Sequence, residues 1–176
     1  MKNKIIYSLL LCFILKFNIF SLDYFEAFGD IGQYAIPLTA LGISLINKDF
    51  NGSAKLCIAY LTTIGLTYAL KYSINKTRPD DGLHSFPSGH TSSSFCGASF
   101  LGIRYGPAYG IPAYTLSCLV GWSRIRSARH YPEDVIAGAA IGIITNIIID
   151  KIKIKNFYFA PVLKKQEYSL IFNYKF

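Results

Sequence analysis

Six apolar segments, each bounded by polar or turn-forming residues, constrain the fold of this chain more than any other feature. The first lies within MKNKIIYSLLLCFILKFNIF, and five more fall at 32–47, 55–71, 92–105, 108–122 and 135–150. The five run to about 14–17 residues each, short of the roughly 20 that span a bilayer, although packed helices extend into their polar flanks. The spacing predicts an all-α fold, a helical bundle of about five to six mostly membrane-spanning helices. Core helices of a soluble periplasmic bundle are the alternative, since such helices run shorter. Only 16% of residues are charged while 52% are hydrophobic and 15% aromatic, a balance that favours contact with lipid.

The two ends of the chain differ from its middle. Residues 1–21 carry a basic head, Lys2 and Lys4, before an apolar run, the pattern of a signal peptide or a first transmembrane helix. Ser21-Leu22-Asp23 offers no small-x-small cleavage site, which favours an uncleaved helix. At 156–176 the pattern alternates instead of following a helical period, predicting a short C-terminal β-hairpin with KKQE as its turn. Cys12, Cys57, Cys96 and Cys118 sit singly in apolar runs with no CxxC spacing, and read as small hydrophobes.

The net charge of +8 forms no continuous basic stripe with interleaved aromatics, so a nucleic-acid partner is not indicated. With the amino terminus inside, Lys48, Lys55, Arg104, Lys151, Lys153 and Lys155 all fall on the cytoplasmic side, as membrane insertion prefers. The loops 71–90 and 121–134 then lie together on the outer side, yet hold the remaining basic clusters. That breach of the charge bias requires a functional reason.

Three polar stretches in these loops supply candidates. Lys71 ends an apolar segment and Arg78 follows seven residues on, before Pro79. Pro87-Ser88-Gly89-His90 opens the next segment, and Ser123-Arg124 leads through His130 to Asp134. Each has an ordinary explanation: Lys71 as a snorkelling anchor, Ser88 as a helix cap, Asp134 as a carboxylate at a helix start. However, Asp134 four residues beyond His130 can reach its ring, fixing the tautomer and leaving the other nitrogen nucleophilic. Two histidines at two helix entrances, with arginines on separate segments, make joint coincidence improbable. Lys76, Arg126 and Arg129 are assigned to solvent or headgroup contacts. His84, Asp80 and Asp81 are assigned to an exposed loop, and Glu133 to first-turn helix charge.

The ordered set Lys-x6-Arg-Pro, Pro-Ser-Gly-His and Ser-Arg-x5-His-x3-Asp, over residues 71–134, resembles the signature of the type 2 phosphatidic acid phosphatase and vanadium haloperoxidase superfamily. The resemblance implies a catalytic domain over 22–155 and hydrolysis of a phosphate monoester or diphosphate through a phosphohistidine. Under it His130 is the nucleophile, Asp134 its carboxylate partner and His90 the proton donor. Lys71, Arg78, Ser88, Gly89 and Arg124 hold the phosphate. Three fixed cations replace the charge a metal would neutralise, and no ligand-spaced cluster exists, so neither metal nor cofactor is expected. The expected substrate is a lipid phosphate or diphosphate, and the expected location a multi-pass bacterial inner-membrane protein with its site facing the periplasm. A soluble periplasmic acid phosphatase, a vanadium haloperoxidase and a non-catalytic anion binder are the alternatives.

Overall fold

In a computed structural model the described backbone covers residues 2–152, 157–164 and 167–174, with described side chains at 24–152. Five helices run in order: α1 (Lys2–Ile46), α2 (Phe50–Ile74), α3 (Gly89–Tyr105), α4 (Pro107–Arg126) and α5 (Pro132–Lys151). Two strands follow, β1 (Phe157–Lys164) and β2 (Glu167–Tyr174), paired antiparallel with Phe157 opposite Tyr174 and Lys164 opposite Glu167. The expected tail hairpin is thus present, although 165–166 of its expected turn lie outside the described residues. The sequence predicts separate segments ending near 21 and beginning near 32; α1 instead runs unbroken through both. No stop signal separates them, since Ser21-Leu22-Asp23 continues the helix and even Pro37 lies inside it.

α3 is the central element and packs against all four other helices. Every residue from Thr91 to Leu101 is buried. Small side chains make that position tenable, because neighbouring backbones come close. A Cβ on Gly97 would stand 2.7 Å from the backbone of Pro37 in α1. One on Gly142 of α5 would stand 2.5 Å from the Ser92 carbonyl oxygen. The interior is rich in hydroxyls, and many of them find partners, as where Thr67 donates to Ser92 across 2.9 Å and Ser44 meets Ser53 at the same distance.

The outer surface is the reverse. Ile31, Leu38, Leu61, Ile111, Ile136 and Ile144 are all exposed, on four different helices. Among described residues the buried polar side chains outnumber the buried apolar ones. A surface greasier than the interior suits lipid contact rather than water. α2 and α5 are each long and apolar enough to cross a membrane.

Helix directions alternate along the bundle, which sorts the polar stretches by end. The carboxyl ends of α2 and α4 and the amino ends of α3 and α5 share one end, bringing 71–90 and 121–134 together. The other end is tied by Asp49, which caps α2 at Gly52 N (2.9 Å) and receives Arg104 through two bonds of 2.7 and 2.6 Å. The Arg104 bonds hold that carboxyl down at about 2. Lys55 pairs with Asp150 at 3.3 Å on the same end.

Candidate active site

At the shared end a cavity of about 250 Å³ is lined by Glu26, Asp30, Arg78, His90, Arg124, Arg129 and His130. Four of these were expected from the sequence: Arg78, His90, Arg124 and His130. Lys71, Ser88, Gly89 and Asp134 lie outside the lining. Lys71 is buried at the end of α2 and donates to the His84 carbonyl (2.8 Å), with the Ser85 carbonyl at 3.5 Å. Ser88 is the N-cap of α3, its hydroxyl accepting from Thr91 N–H at 3.4 Å and from the Thr91 hydroxyl at 3.0 Å. Gly89 is the first residue of that helix.

His130 is almost fully buried just before α5. Burial pushes its pKa well below the usual histidine value, and the Lys71 and Arg78 cations push in the same direction. The ring is therefore neutral and carries a free lone pair. Its Nδ1 lies 3.7 Å from Asp134 Oδ2, beyond direct hydrogen bonding. The hydroxyl of Ser85 bridges the gap, standing 3.5 Å from His130 Nδ1 and donating a short bond to Asp134 Oδ2. A chain from Nδ1–H through Ser85 to the carboxylate fixes the tautomer and leaves Nε2 bare.

Asp134 has no exposed surface, and every side of its carboxylate is engaged. Tyr131 N–H donates to Oδ2 at 3.0 Å and Lys76 donates to Oδ1 at 2.8 Å. Lys76 also pairs with Glu133 at 2.8 Å and lies 4.4 Å over the Tyr131 ring. The assignment of Lys76 to solvent is therefore corrected: a fully buried carboxylate needs a cation, and Lys76 is the one in reach. Arg129 is exposed as expected, and it also lines the cavity and bridges Glu26 (2.7 Å) and Asp80 (2.8 Å). Arg126 is exposed as expected. His84 is part-buried, its Nδ1 3.1 Å from the Lys71 carbonyl and its ring edge-on to Tyr72.

Arg124 is 2% exposed and rests against α1. It donates to the Glu26 carbonyl, to Asp30 Oδ1 at 2.7 Å and to Ser123 Oγ at 3.1 Å. Glycine at 29 makes the seat: a Cβ there would come within 2.4 Å of Arg124 Nη2. Glu26 and Asp30 belong to none of the three polar stretches. The available signal is the four-residue spacing in EAFGD, which puts both carboxylates on one helix face. Among the described residues no group of three or more His, Cys, Asp or Glu side chains is arranged to hold a metal ion.

The PAP2 superfamily model matches residues 80–157, which include the second and third polar stretches. A lipid A 1-phosphatase of Porphyromonas gingivalis is 42% identical over 84 residues, covering 46% of this chain and 19% of that protein. A lipid A 4'-phosphatase of Helicobacter pylori is 28% identical over 128 residues, covering 66% and 64%. The chain thus spans about a fifth of the first relative's length and less than two thirds of the second's. Aquifex aeolicus LpxE has a similar crystal structure, with TM-score 0.66 and 27% identity over 76% of this chain and 87% of that one. A transmembrane PAP2-type phosphatidylglycerolphosphate phosphatase of Bacillus subtilis, at 22% identity and TM-score 0.63, shares the fold over 78% of this chain and 80% of its own.

Proposed function

Because the chain belongs to the PAP2 superfamily, we propose that it is a metal-independent phosphatase, hydrolysing a lipid phosphate monoester or diphosphate through a phosphohistidine on His130. The observation that carries this reading is the meeting of Arg78, His90, Arg124 and His130, from three separate polar stretches, around one cavity.

Neutral His130 attacks phosphorus through Nε2, and the imidazolium that forms is stabilised by Asp134 through Ser85. Arg78 and Arg124 hold the nonbridging oxygens, with the Lys71 charge behind them. His90 gives a proton to the departing oxygen, then takes one from the water that cleaves the phosphohistidine. Ser88 and Gly89 hold the helix start against the phosphate side of the site. Fixed cations do the neutralising that a metal does elsewhere.

A lipid substrate is supported by the apolar exterior, by the two helices of membrane-spanning length and by relatives named for lipid A. The site faces the periplasm in this reading, because Lys48, Lys55, Arg104 and Lys151 gather at the opposite end. Phosphate release by the detergent-purified chain tests it, with lipid A, phosphatidic acid, phosphatidylglycerol phosphate and an isoprenoid diphosphate in parallel. Turnover of a lipid phosphate in chelator, lost in His130→Ala, is expected. Full activity in that variant, or a strict need for added metal, contradicts the mechanism.

A further inference from the structure

Arg124 Nη1 and His90 Nε2 stand 3.4 Å apart, close enough for their positive charges to conflict whenever the imidazole is protonated. One oxygen lies between them. Asp30 Oδ1 is 2.9 Å from His90 Nε2 and 2.7 Å from Arg124 Nη1. The same turn of α1 supplies the Glu26 carbonyl to Arg124 and the glycine at 29 that lets the guanidinium approach. We propose that Asp30 is a positioning residue for the reaction, holding His90 by Nε2 as the proton donor and tying it to Arg124.

The chemistry follows from which nitrogen is held. With Nε2–H donated to Asp30, the doubly protonated ring that acts as the acid carries on Nδ1 the proton to be exchanged with the leaving group, and the carboxylate offsets its charge. As the bond from phosphorus to the leaving oxygen breaks, its electron pair stays on that oxygen, which takes the Nδ1 proton while the carboxylate faces the remaining Nε2–H. The two histidines are then held from opposite ring nitrogens. His130 is held on its Nδ1 side towards Asp134, and His90 on its Nε2 side by Asp30. The other charged groups around His90 are Glu26 from α1, Lys71 from α2, Arg124 from α4, and Arg78, Arg129 and His130 from the loops. Among the described residues Asp30 is the carboxylate within hydrogen-bonding distance of its ring.

This inference rests on the phosphatase reading, and leaving-group dependence separates the two. p-Nitrophenyl phosphate releases a stable anion that needs little proton assistance, whereas benzyl phosphate releases an alkoxide that needs it. In the purified full chain, Asp30→Asn should lower kcat/KM for benzyl phosphate at least about 10-fold more than for p-nitrophenyl phosphate, since general acid assistance is typically 10²–10⁴-fold. Both rates come from one preparation, so their ratio is independent of how much of the variant folds. Equal losses on the two esters, or none on the benzyl ester, overturn the role of Asp30 while leaving the phosphatase standing. Wild-type chain releasing phosphate from neither ester and from no lipid of the panel overturns the phosphatase reading and this inference with it.

Discussion

Lys76 Nζ lies 2.8 Å from Asp134 Oδ1, so the carboxylate behind the candidate nucleophile comes with its own cation from 58 residues away in sequence. Asp134 is completely buried, and a carboxylate there stays ionised only because Lys76, Ser85 and the Tyr131 amide surround it. Lys76→Met leaves that charge without its ion pair. We expect a loss of about 1–3 kcal/mol in stability, read by thermal unfolding in detergent. In a double-mutant cycle with Asp134→Asn the two losses should sum to more than the double variant's, because the second change removes the stranded charge. Additive losses contradict the pairing.

Ser85 gives the next prediction. The 3.7 Å gap between His130 Nδ1 and Asp134 Oδ2 makes its hydroxyl the connection between ring and carboxylate. Ser85→Ala should lower kcat about 10-fold, within the range of one lost charge-assisted hydrogen bond, and Ser85→Thr should recover part of it. Steady-state kinetics on a single lipid phosphate decides, and an unchanged kcat in Ser85→Ala removes the bridge.

Little of this second tier was legible in the sequence. Helix number, the shared end of the two basic loops and the convergence of His90 and His130 follow from apolar spacing and from three local motifs. Chemistry at those positions is local, because a motif carries its own turn and its own helix start. Lys76, Arg129, Glu26 and Asp30 take their roles from partners 49 to 103 positions distant, the extremes being Arg129 with Asp80 and Arg129 with Glu26. A single chain read along its length shows a loop lysine or a helical acid and nothing of what faces it. Continuity of α1 was hidden for another reason: Asp23, Glu26 and Asp30 interrupt the apolar pattern without stopping the helix.

The depressed His130 fixes two pH effects of definite sign. In the unfolded chain this histidine has its ordinary value of 6.5, while the folded one binds a proton more weakly. As pH falls below 6.5 the unfolded state takes up more protons, so folded stability declines with falling pH and gains nothing from this group above it. The His130→Gln variant should show a shallower acid decline in melting temperature. The nucleophile meanwhile stays neutral below pH 6.5, placing the acid limb of kcat/KM there. Lys71→Met removes a cation that keeps the ring neutral and should move that limb upward. An acid limb that does not move assigns it to another group.

Gly29 sets the seat of Arg124. A methyl group at 29 would fall 2.0 Å from Ser123 Oγ and 2.4 Å from Arg124 Nη2, so the buried guanidinium must shift. Gly29→Ala should raise KM for the phosphate ester about 10-fold or more, the scale of one charged hydrogen bond. Competitive inhibition by orthovanadate should weaken in parallel. Unaltered inhibition would mean that Arg124 does not hold the anion.

The covalent intermediate is the most direct test of the whole account. Chain mixed with substrate and quenched in alkali should carry phosphate on a histidine, labile to acid, mapped by mass spectrometry to residue 130 and missing from His130→Gln. Phosphate on another residue, or turnover with no phosphohistidine in a quench faster than the steady state, would contradict it.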